Sequence, residues 1–156
     1  MRQEVDLWHG DRKDGVRTEP STETSLPNTT TRTPPADAPK LRTIAMPADA
    51  NPSGDIFGGW LMGLMDLAAG NAAGRRGRGR VATIAVEGMK FHMPVLVGDE
   101  VSIYAEVVTV GRTSMRIEVE AWRRERSEEE MCLVTEGVFT FVAIDENRKP
   151  RPVPPA

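Results

Sequence analysis

NPSGDIFGGWLMGLMDL, residues 51–67, is the stretch on which the reading of this 156-residue chain turns. A Gly-rich entry leads into an apolar run from Ile56 that contains a single carboxylate, Asp66. Burying a carboxylate without a partner costs several kcal/mol or forces its pKa up. An acid where the local pattern calls for a hydrophobe is therefore a site candidate. The pattern predicts a helix from Gly58 to about Gly74, with Phe57, Leu61, Leu64 and Ala68 on one face. Trp60, Met62, Met65 and Leu67 extend the apolar character around the rest, which describes a buried helix. Gly63 and Gly70 fall on the face of Asp66. They leave room either for a ligand or for close packing of a neighbouring element. Gly58 and Gly59 open the helix with unobstructed N–H groups. Such donors and a nearby carboxylate are two parts that hydrolysis of an ester or thioester needs. For Asp66 the competing reading is a structural ion pair with an arginine. For Asp55 it is a turn or a helix cap.

Outward from the helix, the periodicity changes from about 3.6 to 2. Leu41–Met46 is a short strand candidate that Pro47 ends, and Ala48–Asp55 is rich in turn residues. Val81–His92 reads as a strand. Its apolar phase slips at Glu87-Gly88, which predicts a β-bulge. Glu100–Val110 and Ser114–Arg124 alternate, joined by a tight hairpin at Gly111-Arg112-Thr113. Met131–Ile144 is the last strand. One apolar helix and an antiparallel sheet of about five strands pack economically when the sheet wraps the helix. The fold class is α+β.

Residues 1–40 carry few apolar side chains, much Thr and the prolines Pro20, Pro27, Pro34, Pro35 and Pro39. Such a segment reads as a disordered or loosely draped tail. Residues 150–156, PRPVPPA, read as a loose end, which leaves 41–149 as the folded domain. The net charge of −3 offers no global attraction to nucleic acid or anionic membrane. One cysteine, Cys132, excludes an intrachain disulfide and fits a reducing, cytoplasmic setting. No segment has the continuous apolar span of a membrane helix, and the N-terminus shows no signal-peptide core. His9, His92 and Cys132 do not make a metal site, and there is no nucleophile elbow, Walker loop or dinucleotide fingerprint. The Arg75–Arg80 run reads as a solvated loop, with a phosphate clamp as the sharper alternative.

The order strand, buried helix, four strands is the layout of the hotdog fold. The blocks NPSGDIFGGWLMGLMD, GRVATIAVEGMKFHMPVLVGDEV, VGRTSMRIEVEAW and TEGVFTFVAID resemble the bacterial YciA-like acyl-CoA thioesterases over about Leu41–Val153. The resemblance implies hydrolysis of acyl-CoA to a fatty acid and CoA, without a further cofactor. It implies a homodimer, its two sheets joined edge to edge, assembled further into a trimer of dimers, with active sites at the dimer interface. Matched position by position, Asp66 is the catalytic carboxylate, as general base or as nucleophile. Gly58 and Gly59 are the oxyanion donors, and Asp55 is a further site residue. Asn51, Arg112, Thr113 and Ser114 are the substrate-binding candidates, the last three near the CoA end. Asn71 stands where the family carries small apolar residues. Two other readings remain: an acyl-CoA-binding module without catalysis, and a dehydration, which the absence of a helix histidine disfavours.

Overall fold

The change of period along the chain becomes a change of element. A computed structural model, which describes residues 32–156, runs β1 (Leu41–Ile44), α1 (Gly58–Gly77), β2 (Val81–Phe91), β3 (Glu100–Val110), β4 (Ser114–Arg124) and β5 (Met131–Ala143). The five strands form one sheet in the order β1-β3-β4-β5-β2, and every neighbouring pair is antiparallel. The helix lies on one face of that sheet. This is the α+β hotdog architecture.

The core is the seam between α1 and the sheet. Leu61, Met65, Ala68, Ala69 and Ala73 of the helix are buried against Ile103, Met115, Ile117, Val119, Phe139 and Phe141. Small residues on the helix let it sit close to large ones on the strands. The opposite side of the helix is open in a single chain: Phe57, Met62 and Leu67 are 50%, 38% and 63% exposed. Burial all round the helix, as its composition suggests, therefore needs a surface that one chain does not supply.

β2 is an edge strand, and it is irregular twice. Its register against β5 shifts between Glu87 and Lys90, where Gly88 takes φ +60°, as the phase slip predicts. It also shifts between Thr83 and Ala85, which the small residues around Ile84 concealed. Ile84, Val86 and Phe91 remain exposed along this edge.

The helix outruns its expected end by three residues. Arg78, not a glycine, takes the left-handed cap at φ 46°, and its N–H reaches the carbonyls of Gly74 and Arg75. The tail expected over residues 1–40 lies outside the described residues as far as residue 31. Residues 32–40 form no helix or strand. Their end joins the sheet edge, where Lys40 N–H donates to the Ile103 carbonyl at 2.8 Å. Arg32 bonds both Glu120 and Glu136 on the outer sheet face. That hydrogen bond, with a second from His92, holds the Glu136 carboxyl below the usual carboxylate range. Where a loose end is expected at 150–156, the chain has no helix or strand but is held by its backbone. Arg151 N–H donates to Ala143, Val153 N–H donates to Arg112, and the Arg76 guanidinium donates to the Pro154 carbonyl.

Candidate functional site

The loop before α1 is shaped by Asn51. Its Oδ1 accepts from the N–H groups of Ser53 (2.9 Å) and Asp55 (3.1 Å), and its own N–H donates to the Asp55 carbonyl at 2.7 Å. Gly54 completes this turn at φ +93°, a conformation that glycine adopts without steric cost. The Asp55 side chain is exposed and accepts no hydrogen bond among the described residues. It does not cap the helix: the cap position is Phe57, with no side-chain bond to the helix start. The capping alternative for Asp55 is thereby excluded in this chain.

At the helix start, Trp60 and Leu61 both donate to the Phe57 carbonyl, while the N–H groups of Gly58 and Gly59 find no acceptor among the described residues. The two glycines differ. A side chain at Gly59 or Gly63 would meet open space, whereas one at Gly58 would touch the Phe91 ring at 3.4 Å. Free donors at a helix N-terminus favour negative charge placed before them. A Cβ at Gly70 would meet Phe141 at 3.5 Å. Of the two glycines on the face of Asp66, Gly63 gives clearance and Gly70 serves close packing.

Asp66 is half-buried and points toward β2, not toward any arginine. Thr83 Oγ1 donates to Asp66 Oδ1 at 2.6 Å. Oδ2 has no partner among the described residues, so one oxygen is held and the other is free. Among the described residues Asp66 forms no ion pair with an arginine, so the competing structural reading finds no partner there. Thr83 escaped the sequence reading because a threonine is ordinary strand filler. The signal was available: it is the hydroxyl on the helix-facing phase of β2, in the cross-strand row of Phe141 and Met115. Losing one hydrogen bond to a charged group is worth about 1.5–3 kcal/mol. Thr83→Val is thus expected to lower the kcat of thioester hydrolysis about ten- to hundredfold with KM little changed. Thr83→Ser, which restores the donor, should recover most of it. An equal loss in both variants would mean that packing, not the bond, matters there.

Arg112, Thr113 and Ser114 form the β3–β4 hairpin, closed by Gly111 N–H to the Ser114 carbonyl at 2.8 Å. Ser114, Val142 and Ala82 make one cross-strand row, next to the row that ends at Thr83. The hairpin and the Asp66–Thr83 pair therefore share one end of the sheet.

Within one chain the candidates are spread along the helix. Asp66 follows Gly58 by eight residues and Gly59 by seven, about 12 and 10 Å along the axis at about 1.5 Å per residue. An oxyanion donor must lie about 3 Å from the reacting oxygen. Within one chain the free N–H groups and the carboxylate thus stand about two helical turns apart. A cleft of about 440 Å³ lies between the 35–40 segment, Asn71 and Arg75 of the helix, and Tyr104 of β3. Asp66 and Thr83 do not line it.

The sequence and the sheet order of this chain find their match among known proteins. The family model described as the thioesterase superfamily matches residues 53–130. The chain is 48% identical over 117 residues to the acyl-CoA thioester hydrolase YciA of Escherichia coli, covering 73% of this chain and 89% of that protein. The chain is a YciA-like member of the thioesterase superfamily. An uncharacterised acyl-CoA thioester hydrolase of Zymomonas mobilis is 58% identical over 121 residues, 78% of this thioesterase-family chain and 81% of the relative. The crystal structure of a hexameric thioesterase from Yersinia pestis superposes with a TM-score of 0.75 at 46% identity, covering 78% of this chain and 99% of that one.

Proposed function

We propose that this YciA-like protein hydrolyses acyl-CoA to a free acid and coenzyme A, with Asp66 as the group that activates water or attacks the thioester. The observation that carries the reading is the half-buried Asp66, held by Thr83 through one oxygen and, among the described residues, without a partner at the other. The close relatives named as acyl-CoA thioester hydrolases support the substrate class. Gly58 and Gly59 supply the oxyanion donors, and water is the only co-substrate. Asn51 fixes the loop that delivers Asp55 and the helix start, while Arg112, Thr113 and Ser114 meet the CoA end.

The site is composite in this reading. The axial gap between Asp66 and the glycine pair is bridged if Asp66 of one chain works with the glycines of another. The surface for this is at hand. The unpaired edge of β2 carries Ile84, Val86 and Phe91, and beside it lies the open helix side with Met62 and Leu67. A long apolar strand edge of this kind is stable only when it is covered. Pairing β2 with its copy joins two sheets and covers both helices. The hexamer is a trimer of such dimers, in line with the hexameric Yersinia pestis relative. The setting is cytoplasmic, where the free thiol of Cys132 stays reduced.

The test is thiol release from a panel of short- to long-chain acyl-CoA esters. The expected result is turnover with several chain lengths, because an apolar pocket discriminates by only about 1–3 kcal/mol per methylene. Tight binding of the esters without thiol release over hours would reassign the protein as an acyl-CoA-binding module.

A further inference from the structure

Among the described residues Asp99 is the one buried carboxylate, at 3% exposure, and the chemistry set out above does not use it. It ends the turn over residues 95–99, which leads into β3. Its Oδ2 accepts the Leu96 N–H at 2.9 Å and the guanidinium of Arg123, from β4, at 2.8 Å. Its own N–H donates to the Leu96 carbonyl at 3.1 Å, and Gly98 turns the chain at φ +96°. The turn is thus closed on itself and pinned to the sheet. A buried ion pair stabilises a fold no better than well-packed apolar side chains of like volume. What it supplies is a fixed direction for the backbone it grips.

That backbone holds the helix entry. Gly58 and Gly59 have no side chains to lock them, and Phe57 makes no side-chain bond to the helix start. The direction of the two N–H groups therefore follows from how residues 56 and 57 are held. Ile56 N–H donates to the Val95 carbonyl at 3.3 Å, and Phe57 N–H to that of Asp49 at 3.1 Å. The two acceptors belong to one frame. Gly98 N–H donates to the Ala45 carbonyl at 2.8 Å, and Ala45 N–H to that of Asp99 at 2.9 Å. Asp49 Oδ2 accepts the Met46 N–H at 3.0 Å and closes the turn that follows Ala45. Ala45, Ile56 and Val95 are all buried in the core. The Asp49 carboxylate is only partly buried, so the frame is fixed to the interior at Asp99 and Arg123.

We infer that Asp99, locked by Arg123, is a positioning residue for the oxyanion donors of Gly58 and Gly59, acting through the Val95 carbonyl and the Ile56 N–H. This inference rests on the proposed thioesterase reading. A donor stabilises the oxyanion only from about 3 Å, so a small shift of the helix entry weakens it. The thioester oxygen gains its charge only on the way to the tetrahedral intermediate. An effect on the donors therefore falls on kcat and not on KM.

The test is Asp99→Asn, which keeps the size of the side chain and an acceptor for Leu96 but removes the charge that grips Arg123. Its kcat for acyl-CoA hydrolysis, per folded protein, is expected to fall about tenfold with KM little changed. Arg123→Lys keeps the cation, and with it the fold, but loses the planar fork, and should lower kcat about threefold in the same way. Asp99→Asn is then combined with Gly58→Pro, in which one of the donors that Asp99 positions is already gone. There it should cost clearly less than in the unsubstituted protein, because effects that run through one group do not add. A merely structural role for Asp99 lowers the melting temperature and leaves kcat per folded protein unchanged. That result in each variant that folds, a loss carried by KM, or an equal penalty with and without Gly58→Pro overturns the inference. Absence of thiol release by the unsubstituted protein would instead count against the thioesterase reading itself.

Discussion

Asp66→Asn is expected to lower kcat for acyl-CoA hydrolysis by about 10³-fold, within the range seen when a positioned general base or nucleophile is lost. The substitution is nearly isosteric, and the asparagine carbonyl can still accept the Thr83 hydroxyl that now bonds Oδ1 at 2.6 Å. The fold and the orientation of the group should therefore persist, and KM should change little. What disappears is the negative charge on the free oxygen. Two chemistries would produce this loss, and pre-steady-state kinetics separate them. If Asp66 attacks the thioester carbon, the mixed anhydride forms as CoA leaves, and thiol appears in a burst before the steady rate. If Asp66 takes a proton from water, thiol is released without a burst. Near-normal turnover in Asp66→Asn would sink both roles and leave the carboxylate as a structural partner of Thr83.

How far this site was legible in the sequence depends on the residue. Asp66 stood out because a charge in an apolar helical stretch conflicts with the pattern around it. The bulge at Gly88 announced itself because a one-residue insertion reverses which side chains face inward. The irregularity near Ile84 gave no such sign. It falls among alanines, whose small side chains fit either face. Thr83 was hidden for a related reason: its hydroxyl matters only through a contact with a residue 17 positions earlier. The end of the helix was misjudged at Gly74 because glycine reads as a stop, yet Arg78 took the left-handed position and Gly79 N–H closed onto Gly74 at 3.1 Å. The end at 150–156 reads as loose from its prolines. Its few remaining N–H groups and the arginines around it nevertheless tie it to β5 and α1. The division of the site between chains is of another kind. It is implied by resemblance, and the helix rise of about 12 Å between Gly58 and Asp66 is compatible with it without requiring it.

Gly58→Pro is expected to abolish most activity as well, by removing one oxyanion donor and little else. Proline is accepted at the first position of a helix, where the N–H has no partner in the helix to lose. Phe57 already has ψ 130°, which suits a residue preceding proline. A Cβ at this position lies 3.4 Å from the Phe91 ring. Loss of one such donor lowers kcat by about 10²–10³-fold. The decisive result comes from mixing this variant with Asp66→Asn. In a composite site each active centre takes Asp66 from one chain and Gly58 from its partner. A mixed dimer then has one site with both lesions and one with neither. Random pairing makes half the dimers mixed with one intact site of two, so about a quarter of full activity should return on co-expression of two inactive chains. If Asp66 and Gly58 of the same chain acted together, every site in the mixture would carry one lesion and no activity would return. Recovery therefore reads out the division of the site between chains, independently of any measurement of oligomer size.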